Sequence, residues 1–354
     1  MGSARAYIGS FTSAGGHGIR TAEVDPRTGA LTPLGATDVL ADPSYLALAP
    51  SGETLYAVSE TDEGAVAAFS VRGGSGGGAP ELLAPPVPVG GAGPTHLALA
   101  AGRVLTANYG SGSVSWLPLG PAGALAPGGG VLRHEGSGPD TARQDGPHAH
   151  QVLADPSGRW VLSVDLGTDS VRVCAPAADG LRLHREVALR PGSGPRHLAF
   201  HPRGDLAYVM NELSPTLTVC RWDAAEGRLE PLGETPVLSG TPAGDAYPSE
   251  AVVAPDGRFV WTATRGEDVI SVLAADTGAA TASETDGTRL RLVATVPCGG
   301  HWPRDLALHP SGRFLYAANE RSGDVTWFTL DPDTGMPRRG GSIEAPAASC
   351  VVFG

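Results

Sequence analysis

Ionisable side chains follow a proline at several places in this sequence, with a spacing that repeats along the chain. These proline-led residues are His148, His150, Arg196, His197, Glu250, Arg304 and Asp305. An imidazole or a carboxylate beside a water molecule can act as a general base. A guanidinium can bind an anion or stabilise an oxyanion without losing its own proton. Brought together, these groups could perform acid–base chemistry on a small anionic molecule.

The composition excludes several classes of protein. All 25 basic residues are arginine, so no lysine is present for a Schiff base or a Walker-type phosphate loop. The 37 acidic residues give a net charge of −12, which disfavours nucleic-acid binding. No apolar run approaches the roughly 20 residues that a membrane-spanning helix needs. The one Gly-x-Ser-x-Gly match, at 73–77, belongs to a glycine-rich stretch with no helical pattern after it. It therefore does not indicate a nucleophile elbow, which favours direct attack by water over an acyl-enzyme.

The proline-led segments are copies of one unit. The six leading prolines, 48 to 55 residues apart, are Pro43, Pro94, Pro147, Pro195, Pro248 and Pro303. In five of the six units an apolar run precedes a Pro-x-Gly turn, and in each unit a second run follows, such as Phe314–Asn319. A third run, such as Asp324–Leu330, and a looser fourth complete the unit. Four short strands at this period predict an all-β fold, a seven-bladed β-propeller of antiparallel blades.

The two ends of the chain supply the missing parts of one blade. The N-terminus opens on a run that resembles a second strand, around Tyr7, and the C-terminus ends on an orphan run at 349–353 that resembles a first strand. Pairing them closes the ring and removes two exposed edges. We therefore expect a single propeller domain over residues 1–354, with the glycine-rich stretch 73–78 as a loop at a blade edge.

The geometry of a blade places the candidate residues at one mouth of the central channel. The second strand runs antiparallel to the first, so the start of one and the end of the other emerge on the same face. The positions expected there are Ser44, Tyr45, Ser59, Glu60, Thr95, His96, Asn108, Tyr109, His148, His150, Asp165, Arg196, His197, Asn211, Glu212, Ser249, Glu250, Arg265, Arg304, Asp305, Asn319 and Glu320. The polar segment 133–150 breaks the repeat and is expected to cover this mouth as a lid that contributes Arg143 and Gln144.

These residues lie in motifs that resemble the lactonase family of seven-bladed propellers, typified by bacterial 6-phosphogluconolactonase. The motifs are Tyr7-Ile-Gly-Ser-Phe-Thr12, Ala107-Asn-Tyr-Gly-Ser-Gly-Ser-Val114, Arg143-Gln-x-Gly-Pro-His-Ala-His150, Asp165-Leu-Gly-Thr-Asp169, Gly194-Pro-Arg-His197, Asn211-Glu212 and Pro303-Arg304. The chain is also similar to fungal carboxy-muconate lactonizing enzymes, whose proposed active-site set matches His148, Arg196, Glu212 and Arg265. It departs from the family pattern at Ser249-Glu250-Ala251 and Ala263-Thr264-Arg265.

The resemblance implies hydrolysis of a sugar lactone, 6-phosphoglucono-lactone in the pentose phosphate pathway, by a carboxylic-ester hydrolase. We expect Glu212 to be the general base and His148 the proton donor, although the two roles could be exchanged. Arg196 is expected to hold the carbonyl oxygen, and Arg265 and Arg304 to bind the anionic group of the substrate. Substrate contacts are further expected from other residues at the mouth, which are Arg143, His150, His197, Asn211, Glu250, Asp165 and Asn108.

We expect no cofactor and no metal, because the arginines at the mouth disfavour a cation such as Ca²⁺. The expected partner is a small anionic lactone, with no nucleic acid or membrane, and the chain is expected to be a monomer or weak homodimer. The absence of a recognisable secretory signal and four cysteines without metal-like spacing favour the cytoplasm. Two alternatives stay open: a muconate-type cycloisomerase, and a non-catalytic scaffold.

Overall fold

Seven four-stranded antiparallel sheets follow one another in the described part of the chain and form a ring. The computed structural model describes residues 4–72, 78–126, 128–275 and 289–354. The first strands of neighbouring sheets contact each other all the way round, so each sheet is a propeller blade and its first strand lines a central channel. The predicted seven-bladed propeller is confirmed. The expected loop at 73–78 falls almost wholly outside the described residues.

Each blade extends from an inner strand at the channel to an outer strand at the rim. In that order, blade 1 consists of Ala348–Phe353, Arg5–Ser10, Ile19–Val24 and Leu31–Thr37. Blade 2 consists of Leu46–Leu48, Thr54–Ser59 and Ala65–Ser70, with Glu81–Leu82 and Val87–Pro88 both paired to the third strand. Blade 3 consists of Pro94–Ala100, Arg103–Asn108, Ser113–Pro118 and Gly130–Arg133, and blade 4 of Ala149–Ala154, Val161–Asp165, Ser170–Ala177 and Gly180–Ala188.

The remaining three blades have long outer strands. Blade 5 consists of Pro195–Phe200, Leu206–Asn211, Thr216–Asp223 and Arg228–Pro236. Blade 6 consists of Tyr247–Val253, Phe259–Arg265, Val269–Ala275 and Leu290–Pro297, and blade 7 of Pro303–Leu308, Phe314–Asn319, Asp324–Leu330 and Pro337–Glu344. The helices in the described residues are two single-turn 3₁₀ segments, Thr12–Ala14 and Pro121–Gly123. None of the helices there is long and apolar enough to cross a membrane.

The ring closes through the two chain ends, as the sequence predicts. The C-terminal strand pairs antiparallel with the N-terminal one, with Tyr7 opposite Val352 and Ile8 opposite Val351. The hydroxyl of Tyr316 in blade 7 also donates to the carbonyl of Gly29 in blade 1, at 2.7 Å. Blade 1 is therefore held from both ends of the sequence, and its inner and second strands each have a partner.

The hydrophobic core lies between blades rather than inside any one of them. Each of seven clusters of buried apolar side chains in the described residues joins two adjacent blades. Between blades 6 and 7, for example, Trp261 and Phe259 pack with Leu315 and Phe328. Alternate residues of each central strand face opposite neighbours, so these strands are apolar on both sides. This packing leaves polar residues to the strand ends, where the channel opens.

Candidate active site

A β-bulge delivers the residue that follows the leading proline. In blade 5, Pro195 pairs with Asn211 and His197 pairs with Met210, so Arg196 is an extra residue without a partner. The same irregularity makes His150 the extra residue in blade 4 and Arg304 the extra residue in blade 7. A bulge re-aims the side chain of its unpaired residue. The inner strands thus begin with a residue directed out of the regular ladder at one mouth of the channel.

Glu212, directly after the second strand of blade 5, is surrounded by three guanidinium groups. Its Oε1 accepts from Nη2 of Arg143 at 2.5 Å, and its Oε2 accepts from Nη2 of Arg265 at 2.7 Å. Nε of Arg196 lies 3.3 Å from Oε2, and Arg196 also donates to the carbonyl of Ser249 in blade 6. The structure therefore brings these four predicted residues together from the lid segment and blades 5 and 6.

This cationic cluster, made of Arg143, Arg196, Arg265 and Glu212, carries a net charge of +2. Burial alone would raise the pKa of Glu212, but the three guanidinium groups outweigh it and lower that pKa to about 2. Burial, together with the nearby Arg265, lowers the pKa of Arg196. Glu212 is therefore ionised at neutral pH and only weakly basic. The excess positive charge suits an anionic ligand.

The lid segment presents Arg143 through a set of hydrogen bonds of its own. Gln144 is fully buried, and its side chain donates to the carbonyl of Leu166 at 2.8 Å and accepts from the backbone N–H of Asp140 at 3.1 Å. Gly167 makes the close approach possible, because a Cβ there would lie 1.9 Å from the carbonyl oxygen of Gly146. Arg143 remains 35 % exposed, so it is the most accessible guanidinium of the cluster.

His148 is held with one ring nitrogen engaged. Its Nδ1 donates to the carbonyl of Tyr109 at 3.0 Å, and its ring stacks on that of Tyr109 with centroids 4.4 Å apart. Its Nε2 then carries the lone pair, and the nearest polar contact of this nitrogen is a long 3.4 Å approach from the exposed Asp145. Glu212 and Tyr109 together raise the pKa of Arg143 against the effect of burial, so Tyr109 lies beside the cationic cluster and links it to His148. The sequence places Tyr109 at this mouth but assigns it no role.

Asp165 supports His148 from behind and is fully buried. Its carboxylate accepts from the backbone N–H of His148 at 2.9 Å, from Nδ1 of His134 at 2.6 Å and from Arg172 at 3.1 Å. Burial would raise the pKa of Asp165, but these partners lower it overall. The structure therefore places Asp165 beneath the mouth, where it fixes the backbone of the histidine rather than facing a substrate.

Arg304 lies at the same mouth in a second cluster, in which two carboxylates face one guanidinium, so that the net charge is negative. Its guanidinium is 3.3 Å from Glu320 and 3.8 Å from Glu60, and it covers the ring of Phe11 at 4.9 Å. Glu60 also accepts a hydrogen bond from the hydroxyl of Ser44. We call Glu60, Arg304 and Glu320 the anionic cluster. Two carboxylates already neutralise Arg304, so it differs from the arginines around Glu212.

His150, His197 and Glu250 line the channel below the mouth. His197 is bonded through Nδ1 to Glu250 at 2.5 Å, and its ring is 5.1 Å from that of His150. Burial raises the pKa of Glu250 to about 7, and burial together with the nearby carboxyl of Glu250 raises the pKa of Asp305 in blade 7 to about 8. The pKa values of both histidines are well below the usual value because of burial and the nearby Arg196. These groups are neighbours of the mouth rather than its surface.

Asn108 and Asn211 are enclosed in their own blades. The side-chain amide of Asn108 donates to the hydroxyls of Ser113 and Ser115 at 3.0 and 2.7 Å. That of Asn211 donates to Thr216 and Thr218, both at 2.9 Å. Both asparagines are fully buried, so they join the second strand to the third. Their recurrence along the sequence therefore reflects blade construction, and they offer no surface to a substrate.

The carboxylate of Asp169 in blade 4 holds the loop that leads to Arg196 in blade 5. Asp169, which has a φ of 49°, accepts from the backbone N–H of Gly192 at 2.6 Å and of Gly194 at 2.7 Å. These glycines lead directly into the bulge that carries Arg196. Asp268, with a φ of 55°, accepts in the same way from the backbone N–H of Trp302, ahead of Arg304. Asp169 belongs to one of the motifs quoted above, but its position in the sequence alone indicates no role.

The ring of blades and the two charged clusters define a β-propeller with ionisable side chains gathered at one mouth of its channel. The chain belongs to the family described as Lactonase, 7-bladed beta-propeller, whose family model matches residues 5–353. This bears out the resemblance seen in the sequence motifs. In the part of the chain that is described, no group of three or more His, Cys, Asp or Glu side chains could hold a metal ion.

Individual relatives extend over nearly the full length. The chain is 33 % identical over 355 residues to the 6-phosphogluconolactonase of Bacillus subtilis, covering 98 % of this chain and 97 % of that protein. It is 30 % identical over 344 residues to the 6-phosphogluconolactonase of Formosa agariphila, covering 93 % of each. The solved structure of a periplasmic gluconolactonase from Pseudomonas aeruginosa is similar with a TM-score of 0.89 and 28 % identity, over 99 % of both chains.

Proposed function

We propose that this protein hydrolyses a phosphorylated sugar lactone, 6-phosphoglucono-lactone, to the open hydroxy acid in the pentose phosphate pathway. Family membership and the named relatives support the lactone-hydrolysing class. The observation that carries the proposal is the cationic cluster next to His148. Three guanidinium groups around one carboxylate supply the excess positive charge that a phosphate or a developing oxyanion requires. The free thiols of all four cysteines favour a cytoplasmic location.

We assign the general base to His148 rather than to Glu212. A carboxylate with a pKa of about 2 takes a proton from water poorly, because base strength follows pKa. His148 has its Nδ1–H fixed by the carbonyl of Tyr109, so Nε2 is the accepting nitrogen. Glu212 then holds the three arginines in place. This assignment gives both proton transfers to His148 and a positioning role to Glu212, and so differs from both arrangements of roles expected from the sequence.

The proposed reaction begins with water at Nε2 of His148. As the water oxygen bonds to the lactone carbonyl carbon, His148 accepts its proton and the carbonyl oxygen becomes an oxyanion. Arg143 stabilises that oxyanion, because it is 35 % exposed while Arg196 behind it is 3 % exposed. The bond between the carbonyl carbon and the ring oxygen then breaks, and the ring oxygen takes the proton back from His148. The excess positive charge of the cationic cluster attracts the phosphate.

Hydrolysis of freshly prepared 6-phosphoglucono-lactone, corrected for spontaneous opening, tests this proposal. We expect His148→Gln to lower kcat by about a hundredfold or more, the usual loss on removing a general base. Arg143→Met should lower kcat/KM, because the oxyanion would lose the guanidinium that stabilises it. His184→Gln is the matched control, because His184 stacks on Trp160 at the outer part of blade 4. Activity of the His148 variant equal to that of the control would exclude His148 as the base.

A further inference from the structure

The two charged clusters divide the mouth into halves that attract different groups. On the side of blades 5 and 6, three arginines surround the single carboxylate of Glu212. On the side of blades 1, 2 and 7, two carboxylates flank the single guanidinium of Arg304. The first half has an excess of positive charge and the second an excess of carboxylate oxygens. A ligand that spans both must therefore be chemically different at its two ends.

The halves are close enough to act on one another. Burial raises the pKa of Glu60 against the opposing influence of Arg304, Ser44 and Arg196. The pKa of Arg304 is raised because Glu60, Glu320 and Glu212 together outweigh its burial. The charge of Arg196 in the cationic cluster therefore affects the pKa of Glu60, and the charge of Glu212 affects the pKa of Arg304. The two clusters therefore share one mouth of the channel.

The anionic cluster has spare capacity to accept hydrogen bonds. The side chains of Glu60 and Glu320 are 20 % and 22 % exposed, so both face the opening in part. An ionised carboxylate has about four acceptor sites. Among the described residues, Glu320 contacts Arg304 through Oε2, which leaves its Oε1 available. Neutral hydroxyl groups can donate to these oxygens, whereas a second carboxylate placed there would be repelled.

We propose that Glu60 and Glu320 form a hydroxyl-binding half of the mouth, which selects a polyhydroxylated lactone over a polycarboxylate. The hydroxyl-bearing carbons of the substrate lie against this half, while its phosphate lies at the cationic cluster. This inference rests on the proposed function and identifies how the same site recognises its substrate class. It also distinguishes a sugar lactone from the unsaturated polyacid that a lactonizing enzyme of this fold would take.

Kinetics with two lactones test the selection directly. We expect Glu320→Gln to raise KM for 6-phosphoglucono-lactone about tenfold, because a hydrogen bond to a charged group is weakened. The kcat/KM for δ-valerolactone, which has no hydroxyl groups, should stay unchanged. Glu320→Asp, which keeps the charge, should restore part of the loss. Glu230→Gln is the matched control, since Glu230 pairs with Arg221 on the outer strands of blade 5. An equal loss on both lactones would overturn the inference and leave the lactonase proposal standing.

Binding measurements keep the inference testable even without turnover. By calorimetry, wild-type protein should bind 6-phosphogluconate at least tenfold more tightly than tricarballylate, a saturated tricarboxylate. The double variant Glu60→Gln, Glu320→Gln should narrow that gap. Equal affinities in the wild type, or an unchanged gap in the variant, would refute the hydroxyl-binding half. If the wild-type protein does not hydrolyse 6-phosphoglucono-lactone, that result would instead refute the proposed function alone.

Discussion

Replacing Glu212 with glutamine should destabilise the fold because three guanidinium groups would lose their shared counter-ion. The side chains of Arg196 and Arg265 are 3 % and 7 % exposed, so water cannot take the place of the carboxylate. The pKa of Glu212 falls from 4.5 to about 2 in the folded protein, which corresponds to about 3 kcal/mol. We expect Glu212→Gln to lower the free energy of unfolding by about that amount at pH 7.

The pH dependence of this loss has a defined sign. Because folding lowers the pKa of Glu212, its stabilisation is present above pH 4.5 and is lost as the pH falls towards 2. The difference between wild type and variant should therefore be constant from about pH 8 to about 5.5 and shrink below pH 4.5.

Urea unfolding followed by tryptophan fluorescence, at several pH values, measures this difference. Glu230→Gln removes an exposed ion pair at blade 5 and should cost at most about 1 kcal/mol. A Glu212 variant as stable as the Glu230 variant at pH 7 would refute the claim that the carboxylate holds the arginines together.

Three further outcomes follow from other parts of the site. Asp169→Ala should lower the free energy of unfolding, measured with urea, by about 1–3 kcal/mol and should lower kcat/KM. The reason is that the two N–H groups that hold the loop before Arg196 would lose their acceptor. An unchanged kcat/KM would refute the positioning role of Asp169. Folding raises the pKa values of Glu250 and Asp305, so the free energy of unfolding should decrease as the pH rises from about 5 to 8. Glu250→Gln should make that decrease smaller, and an identical slope would contradict the raised pKa of Glu250. Dialysis against a chelator should leave kcat/KM unchanged; a loss that Ca²⁺ or Mg²⁺ restores would overturn the metal-free assignment.

The ring and the face of the site could both be predicted from the sequence. The period of the leading prolines indicates the blades, and the orphan run at the C-terminus indicates the closure, now seen as Ala348–Phe353 paired with Arg5–Ser10. The shared face follows from antiparallel pairing, since Pro195 lies opposite Asn211 and Pro303 opposite Asn319. These inferences need only strand order and direction, which a repeat makes visible.

The repeat in the sequence could not predict whether an individual side chain points into its blade or towards the mouth. Asn108 and Glu212 both come at the end of a second strand, yet Asn108 turns into its blade and Glu212 joins the mouth. Asn108 is the last residue of its strand and Glu212 is the residue after the end of its strand. Their side chains therefore differ by one position and face opposite sides. The role of Tyr109, which the sequence places at the mouth, could not be predicted for a related reason. Its backbone carbonyl holds His148, and a carbonyl has no residue signature.

The bulge explains how a repetitive fold carries a site that does not repeat. The extra inner-strand residue is Thr95 in blade 3, His150 in blade 4, Arg196 in blade 5 and Arg304 in blade 7. The backbone requirement at this position is the same in these four blades, but the ladder places no demand on the side chain. Chemistry can therefore differ from blade to blade without loss of the ring. Arg196 of the cationic cluster and Arg304 of the anionic cluster are both placed at the mouth in this way.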